Sequence, residues 1–430
     1  MIAEEVPTAP AEKDQSLGRD FWRLWTADGL SNLADGVLKI ALPLVALTYT
    51  RSPALIAGLA FTFTLPWLLF ALPAGALVDR ADRRKAMLSA NTVRTASLVA
   101  LVATVGFGGG SIWALYAVAF CVGSAETIYD TAAQSLVPQL VPRDRLPRAN
   151  GRLFAVELTT NQFIGPPLAG LLVAASATLA LATPLGLWAM ALGAILLLRG
   201  NFRVGGERPQ HSTLRADIAE GLRFLRRHRL LRTLAAMTGA YNFATNATFA
   251  VFVLYATGPT SAMHMSNQGY GLLLAALAGG SVLGSFVAEW ITVRLGRARA
   301  LALSIPGGAL LVGIPAVSTN PYVVAAGFMV GGAASIIWNV IAVSLRQRLT
   351  PDRLLGRVNS AYRLLAWGVM PLGAATGGLL AQLVGLRAVF VVMAGVMVAM
   401  LAGMRVVTDR RMAEAEREAD AAMAAAAAQP

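Results

Sequence analysis

The stretch SLVPQLVPRDRLPRAN at residues 135–150 returns as SLRQRLTPDRLLGRVN at residues 344–359. At this offset of 209, Ser135, Leu136, Leu140, Pro142, Leu146, Arg148 and Asn150 fall on Ser344, Leu345, Leu349, Pro351, Leu355, Arg357 and Asn359. Gly75, Gly123, Tyr129 and Asp130 likewise fall on Gly284, Gly332, Trp338 and Asn339. The chain therefore holds an internal repeat, 22–199 mapping onto 231–408. Each copy of the loop lies between long apolar runs. A helix crossing a hydrocarbon layer of about 30 Å needs roughly 20 mostly apolar residues. Twelve stretches meet that need, near 22–47, 54–78, 87–106, 112–135, 152–175, 178–198, 231–257, 269–293, 300–318, 320–345, 361–384 and 386–408. The closely spaced pairs divide at Ser176 to Thr178 and at Gly385 to Leu386. Six spans per copy is an even number, so both copies enter the bilayer in the same orientation. Such a parallel repeat places a substrate path at its interface.

Composition supports the membrane reading and removes others. The 430 residues are 56% apolar and 14% charged, with a mean hydropathy of +0.60; water-soluble chains sit near about 45–50% and about 25%. The net charge of +13 suggests an acidic partner, but a nucleic-acid binder needs a basic face on a polar fold, and too little polar chain is present to build one. Cys121 is the single cysteine and lies in an apolar run, so no internal disulfide or thiolate metal site is expected. His211, His228 and His264 are scattered in polar segments, so no histidine-based metal site is expected either. The N-terminus carries Glu4, Glu5, Glu12 and Asp14 without a basic n-region, and no signal peptide is expected.

The position of the basic residues tests the span count. With both termini cytoplasmic, 32 of the 36 Lys and Arg residues fall on the inside. Arg51 and Arg387 fall outside, and Lys39 and Arg94 lie within spans. The expected organisation is a cytoplasmic N-terminal segment 1–21, a first six-helix bundle 22–199, a cytoplasmic linker 200–230, a second bundle 231–408 and a cytoplasmic tail 409–430. From Ser212 the linker reads as an amphipathic helix, with Leu214, Ile218, Leu222 and Leu225 on one side, suited to lie along the cytoplasmic membrane surface. The tail carries no identifiable chemistry.

Between the second and third spans stands Gly75-Ala-Leu-Val-Asp79-Arg80-Ala-Asp82-Arg83-Arg84-Lys85. With two six-helix halves and a basic central loop, this resembles the major facilitator superfamily, whose signature there is G-x-L-x-D-R-x-G-R-[RK]. Gly75, Leu77, Asp79, Arg80, Arg83 and Arg84 match; Asp82 replaces the usual glycine, so the turn is expected to differ. The stretches LWTADGLSNLADGVLKIALPLVAL and LRADIAEGLRFLRRHRLLR, with Phe163-Ile-Gly165-Pro166-Pro167-Leu-Ala-Gly170, resemble the branch of enterobactin-type siderophore exporters and macrolide efflux proteins. The signature can act as a cytoplasmic gate: Gly75 admits a close neighbour, Asp79 can accept from a helix N-terminus, and Arg80, Arg83 and Arg84 pin the helix ends. Its plainer reading is a topology signal. Gly165, Pro166 and Gly170 resemble the antiporter motif of exporters; a Gly-Pro pair can also be only a kink.

An ionised side chain at mid-membrane costs roughly 2.5–3.5 kcal/mol on insertion scales, so it needs a partner, a proton or a wet cavity. Asp28 and Glu289 lie near cytoplasmic ends and read as solvated interface residues. Asp35 is midway along the first span with Lys39 four residues on, so the two share a face and can pair. Glu126 and Asp130 also share a face, and as like charges in a low dielectric they tend to hold a proton between them. Glu157 lies on the fifth span. The resemblance implies that spans 1, 4, 7 and 10 line a central cavity, which places Asp35, Glu126 and Asp130 on the path. In the second half the aligned positions are neutral: with a one-residue adjustment Asn32 and Asp35 align with Asn242 and Thr245, and at the offset of 209 Asp130 aligns with Asn339. Proton coupling is therefore expected at Asp35, Glu126, Asp130 and Glu157, and substrate contact at Asn32, Lys39, Asn242, Asn246, Trp338 and Asn339. Arg94 can pair with an acid or snorkel to the surface, the latter being preferred.

Together these imply an all-α, twelve-span exporter of small amphipathic organic molecules in a bacterial cell membrane. It is expected to be driven by a proton gradient, without cofactor, metal or nucleic acid, and to act as a monomer. No G-x-x-x-x-G-K-[ST] occurs, so ATP hydrolysis is not supported. Within transport the alternative is a proton-coupled uptake carrier. An intramembrane enzyme would need a catalytic constellation, and no histidine lies within a span.

Overall fold

Helical backbone underlies every one of the apolar stretches. The structure is a computed structural model that describes residues 17–142, 145–200, 202 and 214–427; side chains at 71, 72, 75, 76, 79, 80, 147, 214–218, 352, 353, 355, 356 and 422–427 lie outside the described set. The first half comprises α1 (Arg19–Ala46), α2 (Pro53–Arg80), α3 (Arg83–Gly106), α4 (Ile112–Leu140), α5 (Leu146–Glu157), a π-helical segment (Leu158–Ile164), α6 (Gly165–Ala175) and α7 (Ala177–Leu196). After the linker helix α8 (Leu214–Arg227) come α9 (Arg229–Ala256), α10 (Asn267–Leu295), α11 (Arg297–Val317), α12 (Pro321–Leu349), α13 (Asp352–Trp367), α14 (Met370–Val384), α15 (Leu386–Ala399) and α16 (Asp409–Ala427). Among the described residues the only strand-like pairing is an isolated bridge, Thr257 with Met265.

Ten of these segments are long and apolar enough to cross a membrane. The stretches 152–175 and 231–257 are helical but stand outside the ten. Asn161, Gln162 and two prolines dilute the first apolar run, and Asn242 and Asn246 the second. The helices stop where local chemistry dictates. Ser111, Ser176 and Ser266 cap α4, α7 and α10 by accepting from Ala114, Leu179 and Gly269 N–H. The expected breaks fall at Ser176 and at Gly385, whose φ of 108° suits glycine. Pro166 and Pro167 have no N–H to offer the preceding turn, and the backbone shifts register just before them, Gly165 N–H donating to Thr160 O.

Packing sorts the helices into two groups. In the first, α1 lies on α6 and α7, α2 on α4, and α3 on α4 and α7; in the second, α10 and α11 lie on α12, α9 on α14 and α15, and α11 on α15. The groups meet along α2 against α14 and α6 against α10. Where α1 crosses α6 there is no room for a side chain: a Cβ on Gly36 would overlap the backbone of Asn161, and one on Gly165 would sit 2.8 Å from the Gly36 backbone. Leu272, Phe286 and Val293 of α10 remain exposed, an apolar face fit for lipid.

Two expectations gain detail. The linker helix is packed on the second bundle. Gly221 of α8 backs directly onto the Arg357 and Val358 backbone of α13, Leu225 is buried, and Arg357 donates to Glu220. Residues 203–213 and 1–16 lie outside the described residues. The tail does have chemistry. Asp409 Oδ1 accepts from Ala298 N–H at 2.9 Å, Arg297 donates to both Glu416 oxygens at 2.5 and 2.9 Å, Arg348 lies 3.5 Å from Glu416, and Met412 is buried. Helix α16 thus clasps the ends of α11 and α12.

Substituting Gly36→Val is expected to lower stability by about 1–3 kcal/mol through overpacking, seen as earlier loss of the monodisperse peak on heating in detergent, whereas Gly279→Ala, with open space around its Cβ, leaves it unchanged. The guanidinium of Arg297 holds the Glu416 carboxyl below its ordinary value. The clasp is therefore fully formed above the ordinary carboxylate range and is lost as pH falls through the lowered value. Digestion of the tail by the acid-active protease pepsin should accelerate, relative to Glu416→Gln, as pH falls below the ordinary carboxylate range, and trypsin cleavage at Arg410, Arg411 and Arg417 should already be fast at neutral pH in Glu416→Gln.

Candidate functional site

A cavity of about 570 Å³ opens between the two groups of helices, within the range of roughly 300–1,000 Å³ typical of small-molecule sites. Its wall is largely apolar and aromatic, with Phe63, Trp67, Phe249, Tyr270 and Trp367 among the lining residues. Into it face one ammonium, Lys39, and three carboxyl groups, Glu126, Asp130 and Glu157. A second cavity of about 380 Å³ between α1, α4 and α5 shares Asp130, Gln134 and Glu157 with the first and adds Asp28 and Asn32. It carries the polar lining along α4 toward Val137, near the arginine-rich end. At the opposite end the groups are tied together: Arg51 donates to Thr257 O at 3.4 Å, and Ser52 Oγ to Gln382 Oε1 at 3.2 Å. Midway, Trp67 meets Trp367 edge to face at 5.4 Å.

The charges pair differently from the expectation. Asp35 and Lys39 do not form an ion pair along α1. Asp35 Oδ2 lies 3.5 Å from Arg94 Nη1, and Lys39 Nζ donates to Glu126 Oε1 at 3.1 Å. The i, i+4 spacing put both on one face, but that face looks toward α3 and α4, where a partner of opposite sign awaits each. Arg94 does not snorkel. It is fully buried, donates to Ser31 Oγ at 2.9 Å and Asn91 Oδ1 at 3.3 Å, and lies over Tyr129 at 5.1 Å and Trp188 at 5.5 Å. It joins α1, α3, α4 and α7. Nor do Glu126 and Asp130 act as an isolated like-charge pair, because Lys39 takes one oxygen of Glu126. Asp28 lines the smaller cavity beside Asp130 and Glu157, which places it within the site.

The remaining expected residues divide. Asn32 accepts from Asn161 at 3.3 Å beside the small cavity, and Asn246 lines the large one. Asn242 does not reach the large cavity: its amide donates to Ala366 O at 2.8 Å and bonds α9 to α13. Trp338 is buried, donating to Thr238 Oγ1 at 3.1 Å, and Asn339 is exposed off the cavity wall. The aromatic wall was missed because Phe63, Trp67 and Phe249 look like any other apolar residues of their spans.

Of the signature loop, the side chains of Gly75, Asp79 and Arg80 lie outside the described residues. Arg84 donates to Ile195 O and Leu196 O at 3.1 and 2.8 Å, closing the C-terminal end of α7. Asp82, where glycine is usual, accepts from Lys85 N–H and Phe202 N–H at 3.1 and 3.3 Å in an ordinary extended backbone, so it caps α3. Pro166 lines the cavity, and Gly165 and Gly170 lie at crossings with α1 and α10, so the exporter-like element is built into the seam.

A family model described as transmembrane secretion effector matches residues 16–429. The multidrug efflux pump Tap of Mycobacterium tuberculosis is 28% identical over 383 residues, covering 84% of this chain and 86% of that protein. Macrolide efflux protein A of Streptococcus pyogenes is 22% identical over 390 residues, covering 87% and 93%. In fold the chain resembles the nucleoside transporter NupG, with a TM-score of 0.74 at 12% identity over 90% of this chain and 99% of the other. It also resembles a bacterial homologue of the iron transporter ferroportin in the inward-facing state, with a TM-score of 0.70 at 17% identity over 90% and 98%.

Arg94 is the test of the charge layout. Arg94→Met leaves Asp35 buried without a counter-ion and should cost about 3–5 kcal/mol. Adding Asp35→Asn should return most of that stability. If the double variant melts no later than the single one, the pairing of these two residues is wrong.

Proposed function

The chain belongs to the transmembrane secretion effector family of the major facilitator superfamily, and we propose that it exports small amphipathic organic molecules by proton antiport. It is a multi-pass membrane transporter and not an enzyme. The observation that carries the proposal is the cavity at the seam of the two groups, where an aromatic wall meets Glu126, Asp130 and Glu157. An amphipathic molecule can lay its apolar body on Phe63, Trp67 and Phe249 while its polar part reaches the acids. The same acids can exchange a proton with water in the cavity, so one site serves both ligands. Asp35 is assigned a structural place, because its Oδ2 faces the buried Arg94.

The energy source is the proton gradient, and the arginine-rich end faces the cytoplasm. In the conformation described, the ties of Arg51 and Ser52 close the outer end. Alternating access follows if the two groups rock about the α2/α14 and α6/α10 contacts, exchanging those ties for contacts at the other end. The names of Tap and macrolide efflux protein A favour the outward direction over a proton-coupled uptake carrier.

The reading is tested with ethidium and erythromycin in proteoliposomes, with and without an imposed pH gradient. Antiport predicts transport that follows the gradient, in the sense opposite to proton flow. The combined Glu126→Gln, Asp130→Asn and Glu157→Gln variant should lose roughly 5–150-fold of the gradient's effect, the usual range of coupling between two ligands. Symport in the proton's direction would establish the uptake carrier instead. Gradient-independent movement of both probes in the unaltered protein would refute proton coupling.

A further inference from the structure

The ion-pair ladder on α1 ends in a lysine whose place in transport is not explained by a cavity that merely holds substrate and proton. Asp35 is held from behind by Arg94, and one turn further on Lys39 reaches across to Glu126. Lys39 is 36% exposed at its side chain while Glu126 is only 8% exposed. The ammonium therefore stands between a buried carboxylate and the open cavity. It also lies 5.6 Å from the ring of Phe63, on the wall an apolar substrate would touch. Only Oε1 of Glu126 is engaged; Oε2 is buried without a hydrogen-bond partner.

We propose that Lys39 is a tethered counter-ion to Glu126 that enters the substrate space when that carboxylate takes up a proton and withdraws when the proton leaves. The inference rests on the antiport reading and specifies which pair executes it. A proton from water in the cavity that Glu126 lines bonds to its carboxylate, and Glu126 becomes a neutral acid. The only interaction given up is the ion pair with Lys39, which keeps its own protons, and the site gains one positive charge.

The charged groups facing Lys39 fix where it goes. On its own helix is Asp35, already occupied by Arg94 from α3; α4 contributes Glu126 and Asp130, and α5 contributes Glu157. From α2 comes Phe63, which is uncharged, and Arg363 of α13 faces Asp130 from the other group. Once Glu126 is neutral, the acids that remain near Lys39 on the same cavity wall are Asp130 and Glu157. The ammonium is drawn toward them, into volume that substrate otherwise fills. Proton and substrate then exclude one another, as exchange requires. Lys39 acts through Glu126 and is a positioning residue.

The test compares ethidium transport in proteoliposomes with and without a pH gradient, reading the ratio and not the rate. Unaltered protein should show a ratio in the range of roughly 5–150. Lys39→Met should bring it to about 1 while ethidium still equilibrates down its own gradient, and Lys39→Arg should keep most of it. Because Lys39→Met leaves Glu126 uncompensated and can harm folding, the Lys39→Met, Glu126→Gln double variant is measured alongside. It has no charge to tether and should exchange ethidium with a ratio of about 1. Gradient-driven transport in either Lys39→Met form overturns the inference while leaving antiport standing. An unaltered protein whose ethidium transport ignores the gradient removes antiport, and the inference with it.

Discussion

Hydrocarbon offers no water to a charge, so every ionised group within these helices has to find its partner in the protein or in a wet cavity. Most of the site follows from that. Arg94 would be prohibitively costly alone, yet it stands fully buried because Asp35, Ser31, Asn91 and two aromatic rings surround it. Four helices have to meet to assemble that surrounding. The fold of the first half and the burial of this one cation therefore imply each other: misplace α7 and Arg94 loses Trp188, misplace α1 and it loses Asp35.

The same constraint governs the backbone. A helix inside the bilayer has to satisfy its own carbonyls, and prolines at 166 and 167 prevent this for the turn before them. The π-helical segment is the local answer, and it widens the helix where Asn161 and Gln162 face the cavity. Beside it Gly36 and Gly165 let α1 and α6 touch backbone to backbone. A kink and an exporter motif are thus the same object: the prolines disrupt the ladder, the disruption exposes polar groups, and these become part of the wall between the two groups.

The sequence made the helices legible because apolar runs, caps and prolines act within a few residues of one another. The division at Ser176 and at Gly385 was visible for this reason. What it did not reveal was partnership across helices. Asp35 and Lys39 were placed correctly on one face, but spacing says nothing about what the face meets, and Arg94 and Glu126 approach from elsewhere in the chain. Asp82 illustrates the converse. Judged as a departure from a glycine it implied only a different turn, whereas its carboxylate supplies the cap that the start of α3 needs. Asn242 and Trp338 were polar or aromatic residues in apolar spans and so suggested ligand contact. In a packed bundle such groups have a second use, bonding one helix to another, and that is the use found here.

The repeat makes the distribution of charge informative. The halves share a plan, yet with the one-residue adjustment on the first span Asp35 aligns with Thr245 and Lys39 with Phe249, while at the offset of 209 Glu126 aligns with Ser335. Phe249 lines the cavity opposite Lys39, so the two halves present corresponding positions to the same space with different chemistry. A rocking motion that had to break ion pairs spanning the seam would face a large barrier, since each separated charge would be left in low dielectric. Here both pairs, the buried Arg94 with Asp35 and the half-exposed Lys39 with buried Glu126, lie wholly within the first half. The second half lines the cavity with neutral and aromatic groups and can move past without separating either of these pairs; Arg363, its cation near the acids, faces Asp130 with no ion pair among the described residues and lies over Trp67 and Trp367. Keeping both pairs in one half holds the proton chemistry on a fixed scaffold while the other half moves.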